Sequence, residues 1–191
     1  MGIESGSQKV LDAMDKGLTV STIRTARERL ERADIRACYF LQLGYPGETW
    51  EDIQQTVELV RSTHPNDIGI SLSYPLPGTP FYERVQAQLG AKRNWTDSDD
   101  LCVMFKSAYS DEFYRALRDA LHAEVDSWRA SLSTKDTSDF LRSHWQRVYA
   151  LESVSRNAEA TIFHTDEVSP SNRNSSQFIP LQQLSVAAME E

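Results

Sequence analysis

The chain is poor in cysteine, has no long apolar run and no block of positive charge, and each shortage removes a class of protein. Two cysteines in 191 residues, Cys38 and Cys102, stand far apart. A disulfide framework or a clustered thiolate site is therefore not expected, and both read as buried thiols in a reducing compartment. No stretch approaches the roughly 20 apolar residues of a membrane span, and Met1 leads into Gly-Ile-Glu-Ser without a basic and then apolar leader. A cytoplasmic location with no membrane partner is the expectation. The formal charge of −8 comes from 28 acidic against 20 basic side chains, and without a basic patch no nucleic-acid partner is expected. His64, His122, His144 and His164 show no metal spacing.

What the chain does have is a central stretch, Ile35 to Thr49, where a strand pattern runs into a Gly/Pro turn and then a helix start. Ile35, Ala37, Tyr39, Leu41 and Leu43 alternate on one face. Cys38, Phe40 and Gln42 make the other face only mildly polar, the pattern of a parallel strand covered on both sides. Gly44, Pro46 and Gly47 break the pattern with residues suited to a turn and to close approach by a ligand. Thr49 and Asp52 form a capping pair, so free amide donors are expected beside Gly47 and Glu48.

The grammar of strand, turn and helix recurs on both sides. Residues 1–6 read as the last residues of a strand and its turn, with the body of the strand missing, so the start looks truncated. Ser7 is placed to cap a short helix with Val10, Leu11 and Met14 on one face and a Lys16-Gly17 stop. Thr19 is placed to cap the next helix, where Ile23, Ala26, Leu30 and Ala33 face inward and Arg24, Arg27, Glu28 and Glu31 face solvent. After a helix over 50–62, Ile68, Ile70, Leu72 and Tyr74 alternate with Gly69, Ser71 and Ser73, small residues that would let something flat lie on the sheet. Pro75 to Pro80 repeats the turn, and Phe81, Val85 and Leu89 make a short helix closed by Gly90. Residues 101–108 fit a strand or an irregular pass equally. Two amphipathic helices follow, one from Asp111 to about Ser131 and one carrying Phe140, Leu141, Trp145, Val148 and Leu151. Trp95, Trp128 and Trp145 are expected to pack a helical subdomain. From Glu152 the helical pattern fails, and 169–176 has a linker composition.

Four motifs in register carry a resemblance. Gly2-Ile3-Glu4-Ser5-Gly6-Ser7, then Val10-Leu11-Asp12 with Met14 and Lys16-Gly17, then Leu43-Gly44-Tyr45-Pro46-Gly47-Glu48-Thr49, then Tyr74-Pro75-Leu76-Pro77-Gly78-Thr79-Pro80 resemble the second half of a radical S-adenosylmethionine enzyme. The nearest likeness is to the branch that often carries a cobalamin-binding domain. The resemblance implies an α/β fold, an incomplete radical SAM type β/α (TIM-like) barrel comprising strands four to six and spanning 1–90. A mainly helical extension over 91–151 and a largely disordered tail over 152–191 would follow. It also implies that Glu4 and Ser5 face the ribose or methionyl end of S-adenosylmethionine, and that Gly44, Gly47, Glu48, Leu76, Pro77 and Gly78 flank its adenine. Two residues depart from the pattern: Tyr45 stands where the general fifth-strand motif has glycine, and Asp34 where this branch has a helix-end glycine.

The family's Cys-x3-Cys-x2-Cys loop, which holds a four-iron four-sulfur cluster, has no counterpart in the sequence. The cluster would have to come from an N-terminal half or a separately encoded partner chain, cobalamin would belong to the full enzyme, and the chain alone is expected to be inactive. The alternative is a non-catalytic fragment of a split or truncated gene that folds against a partner. A degraded or misannotated reading frame is a third reading.

Overall fold

The computed structural model describes residues 1–89, 101–129 and 135–166. In chain order these form β1 (Gly2–Glu4), α1 (Gln8–Ala13), α2 (Val20–Arg32), β2 (Cys38–Leu43), α3 (Trp50–Thr63), β3 (Asp67–Leu72), α4 (Pro80–Val85) with a short 3-10 turn over Gln86–Gln88, α5 (Asp111–Arg129) and α6 (Lys135–Asp166). Among the described residues the strands make one parallel sheet in the order β1-β2-β3. β2 and β3 run in continuous register from Cys38 beside Asp67 to Leu43 beside Leu72.

The two faces of this sheet differ. Tyr39, Leu41 and Leu43 are buried with Ile3, Ile53, Val57, Val60 and Ile68 in one apolar cluster. The alternate face is open: Phe40 is 58% exposed, Ser71 is exposed, and Cys38 and Gln42 are half-buried. The strand pattern that led to an expectation of cover on both sides is thus covered on one side only by the described residues. Ile35, 53% exposed, lies ahead of the strand and not on its buried face. The gap left by Gly69 is filled from within the sheet, since a Cβ there would stand 3.1 Å from Phe40 Cδ1. Cys38 and Cys102 are not joined in a disulfide, and both are half-buried where core positions were expected.

The helical region packs into the same core as the sheet. Phe113, Leu117, Leu121 and Val125 of α5 and Trp145 and Val148 of α6 belong to the cluster that holds the strand residues. Trp128 packs against His64 with the rings tilted by 54° and their centroids 4.6 Å apart, whereas Phe140 is 54% exposed and Trp95 lies outside the described residues. Residues 101–108 pass without a strand, and Met104 and Phe105 join Val85 in a small second cluster. The helix α6 continues to Asp166, past Glu152 where the apolar period stops.

Helix ends follow the capping chemistry with two corrections. Thr19, Thr49 and Thr79 each accept a backbone amide at a helix start, and Ser110 does so for Phe113. Ser7 sits at the start of α1 but its hydroxyl donates to Asp52 instead of capping. Arg27, placed on the solvent side by periodicity, is buried, and its Nη2 donates to the His64 carbonyl at 2.9 Å. Both α1 and α2 stop at an aspartate in the left-handed region, Asp15 (φ 54°) and Asp34 (φ 54°). Around Asp34, Ile35 N–H reaches the Leu30 carbonyl at 2.9 Å and Asp34 N–H reaches that of Glu31 at 3.0 Å, a Schellman ending that favours glycine. The Asp34→Gly substitution should therefore stabilise the chain by roughly 0.5–1 kcal/mol, read as a rise in the urea midpoint. Asp15→Gly should do the same at the end of α1.

Candidate cofactor-binding site

The resemblance-derived residues fall in the three loops that leave the C-terminal ends of the parallel strands, the edge where α/β sheets bind ligands. After β1, Glu4 takes a positive φ of 57° and pairs with Lys16 at 2.9 Å. Ser5 turns inward and is fully buried: its hydroxyl meets Thr56 Oγ1 at 3.1 Å and accepts the Ser7 amide at 3.1 Å. The Gly6 amide donates to the same Thr56 oxygen at 2.9 Å. Asp52 completes this junction, accepting Ser7 Oγ at 2.7 Å, Lys9 Nζ at 2.6 Å, and the Thr49 amide and hydroxyl at 2.9 and 2.8 Å. Burial pushes the Asp52 carboxyl up, but Lys9, Ser7 and Thr49 outweigh it and hold its pKa at about 2.

After β2, Gly44 (φ 74°) and Gly47 (φ 84°) make the turn. Glu48 folds back beneath it: its Oε2 accepts the Gly44 amide at 2.6 Å, the residue is only 4% exposed, and its Oε1 has no hydrogen-bond partner among the described residues. Burial pushes this carboxyl up, the Asp52 carboxylate adds to the push, the Gly44 amide and Lys9 oppose it, and the balance lies at about 8. Tyr114 of α5 closes the floor, its hydroxyl bonded to Ser107 Oγ at 2.8 Å. Burial raises its pKa.

Tyr45, the departure from the family pattern, has a structural role of its own. Its hydroxyl donates to the Ala13 carbonyl at 2.7 Å and accepts from Arg84 Nη2. Its ring lies 5.1 Å from that of Phe81. One side chain therefore ties the β2 loop to the end of α1 and to α4.

After β3, the Ser73 amide donates to the Leu43 carbonyl at 2.8 Å, and its buried hydroxyl has no partner among the described residues. Leu76, Pro77 and Gly78 are exposed. Gly78 (φ 83°) and Gly47 both border open space, since a Cβ at either would meet nothing within 4 Å.

The eight site residues thus divide into two layers. Ser5, Gly44 and Glu48 are buried: Ser5 bonds to Thr56 of α3 and to the Ser7 amide, and Glu48 accepts the Gly44 amide of its own loop. Glu4, Gly47, Leu76, Pro77 and Gly78 form the accessible rim. Arg84, Tyr114 and Ser73, which shape the same edge, had no motif signal to mark them; Asp52 was marked only by its capping spacing with Thr49, and Tyr45 only as a departure from the family pattern. A rim of backbone and apolar side chains suits a flat base, so the residues present fit the adenosine part of S-adenosylmethionine. They do not fit an iron-sulfur cluster, because no three potential ligands gather among the described residues. A groove of about 540 Å3 lies elsewhere, lined among others by Trp50, Gln54, Arg61, Trp145 and Tyr149. No helix of the described residues is long and apolar enough to cross a membrane.

No protein-family model matches the chain. Part of it is similar to several curated bacterial proteins named tRNA-2-methylthio-N(6)-dimethylallyladenosine synthase. The Paracoccus denitrificans protein is 38% identical over 91 residues, covering 45% of this chain and 20% of that protein. The Zymomonas mobilis protein is 35% identical over 85 residues, covering 41% and 18%, and the Nitrosomonas europaea protein 34% over 80 residues, covering 41% and 18%. The chain spans about a fifth of the length of the curated relatives it matches.

Proposed function

We propose that this chain is the C-terminal portion of a radical S-adenosylmethionine enzyme, contributing the adenosine side of the cofactor site. The observation that carries the proposal is that three of the four family-like motifs fall in loops at one edge of a parallel sheet, where Gly47 and Gly78 border open space and Leu76 and Pro77 are exposed. The partial likeness to synthases named for placing a methylthio group on a tRNA adenosine supports it chemically. Functionalising an unactivated carbon of a nucleoside is work for radical cofactor chemistry. Nothing in those names supports cobalamin. A sequential parallel order β1-β2-β3 with one open face supports a barrel segment whose inner side awaits further strands.

In this reading Gly47, Leu76, Pro77 and Gly78 supply close backbone and apolar contact to the adenine. Glu4, already paired with Lys16, borders the polar end of the ligand. Ser5, Gly44 and Glu48 hold the loops that present this rim. The cluster and the cleavage it drives belong to other parts of the enzyme, and so does the grip on any nucleic-acid substrate, given a chain charge of −8.

A chimera tests this. The matching 91-residue segment of the Paracoccus denitrificans synthase is replaced with that of this chain, and S-adenosylmethionine binding is measured by calorimetry. The expected affinity lies within about tenfold of the parent. A folded chimera without binding would contradict the proposal.

A further inference from the structure

Among the described residues on this edge, the Glu48 carboxyl has neither a cation nor a second donor. Its neighbour Asp52 takes four donor contacts, including the Lys9 ammonium, whereas Glu48 receives only the Gly44 amide, at 2.6 Å. It is 4% exposed, and its second oxygen is buried with no partner among the described residues. A bare carboxylate in such a place would carry a desolvation cost that one amide does not offset, and the nearby Asp52 charge would add repulsion. A neutral acid meets the same geometry at far lower cost, using its carbonyl oxygen to accept the Gly44 amide.

We infer that Glu48 is held as a neutral carboxylic acid and acts as a positioning residue, fixing the Gly44–Gly47 turn from beneath so that its backbone faces the ligand edge. The ligand clause rests on the function proposed above; the protonation and the turn do not. The groups that face the site agree. From α3 comes the Asp52 carboxylate, from α1 the Lys9 ammonium already committed to it, and from α5 the Tyr114 hydroxyl, bonded to Ser107. The only positive charge among them is spent elsewhere. Burial and Asp52 together raise the carboxyl to about 8.

The sign follows from that elevation. A carboxyl whose folded pKa lies above its unfolded value stabilises the turn fully below the unfolded value, near 4.5, and the contribution is lost as pH rises through about 8. The turn should therefore loosen on the alkaline side while the acid side leaves it intact.

The test uses the full chain with a 13C label on the glutamate carboxyl carbons, assigned by Glu48→Gln. The Glu48 resonance should titrate near 8. Hydrogen exchange at the Gly44 amide, corrected for its intrinsic pH dependence, should accelerate by about tenfold or more between pH 6 and 9 in the native protein. In Glu48→Gln, a permanently neutral acceptor, protection should persist at both pH values, while Glu48→Ala should lack it at both. A carboxyl midpoint near 4 to 5, or a Glu48→Gln variant as unprotected at pH 6 as Glu48→Ala, would overturn the inference. The carboxyl titration decides even where Glu48→Ala fails to fold. A midpoint near 8 in a chain that never binds S-adenosylmethionine would retain the positioning role and reject the ligand reading alone.

Discussion

Gly6→Ala should destabilise the chain by about 3 kcal/mol, the upper end of what an added methyl costs in a packed interior. A Cβ at Gly6 would lie 2.5 Å from the Gln55 carbonyl oxygen and 2.6 Å from Thr56 Cα, with Gln55 C at 2.8 Å. All three atoms are backbone of α3, so no side chain can turn away to make room. The β1 loop must lift off the helix, and with it go the Gly6 amide bond to Thr56, the Ser5–Thr56 contact and the Ser7–Asp52 bond. Gly17→Ala is the control: its φ is 62° but nothing lies within 4 Å. Backbone strain of about 1 kcal/mol is the whole expected effect there. Urea unfolding of both variants separates contact from conformation. Equal losses would mean that the loop and α3 do not touch as described.

Asp52→Ala should be nearly as damaging. The carboxylate is 5% exposed and joins the β1 loop, α1 and the start of α3 through its four donor contacts, one of which, from the Thr49 amide, is the side-chain half of the capping box with Thr49. Removing it strands the Ser7 hydroxyl and the Thr49 amide without acceptors, at an expected total of about 2–4 kcal/mol. The same contacts set a pH dependence. Since the folded pKa is depressed from 3.8 to about 2, the contribution is present above the unfolded value and is lost as pH falls through about 2. It amounts to about 2 kcal/mol between those limits. Asp52→Asn should flatten this acid arm, and an unchanged acid arm in Asp52→Asn would assign it to other carboxylates.

The parts of the molecule that were legible from sequence are those where chemistry is local. The Thr49/Asp52 spacing alone specifies the capping box, and the Gly44 and Gly47 turn follows from residues that tolerate positive φ. Phe113, Leu117, Leu121 and Val125, which recur at helical spacing, are buried, while Trp128 on the same face is partly buried. What was not legible depends on partners distant in sequence. Arg27 follows the period of a solvent-facing residue, yet it is buried because the His64 carbonyl, 37 residues on, offers it an acceptor. Ser7 leaves its capping role because Asp52, 45 residues on, is a stronger acceptor.

The candidate site divides along the same line. Positions Glu4 to Gly6, Gly44 to Glu48 and Leu76 to Gly78 could be marked by motif, but motif spacing does not say which of them look inward. Ser5 and Glu48 carry polar groups that invite assignment to a ligand, yet both are buried and bond within the protein, to Thr56 and Gly44. Tyr45 reads as a departure from a glycine pattern. In three dimensions it is a tie between Ala13 and Arg84, two partners no local pattern connects.

The measurement that addresses the central claim most directly is photolabelling of the chimera by an azido-adenine analogue of S-adenosylmethionine, with the adducts mapped by mass spectrometry. Saturable adducts are expected within residues 44–48 and 76–78, suppressed by unmodified S-adenosylmethionine. Competable labelling confined to the groove around Trp50, Trp145 and Tyr149, or none on this segment of a chimera that binds the cofactor, would contradict it.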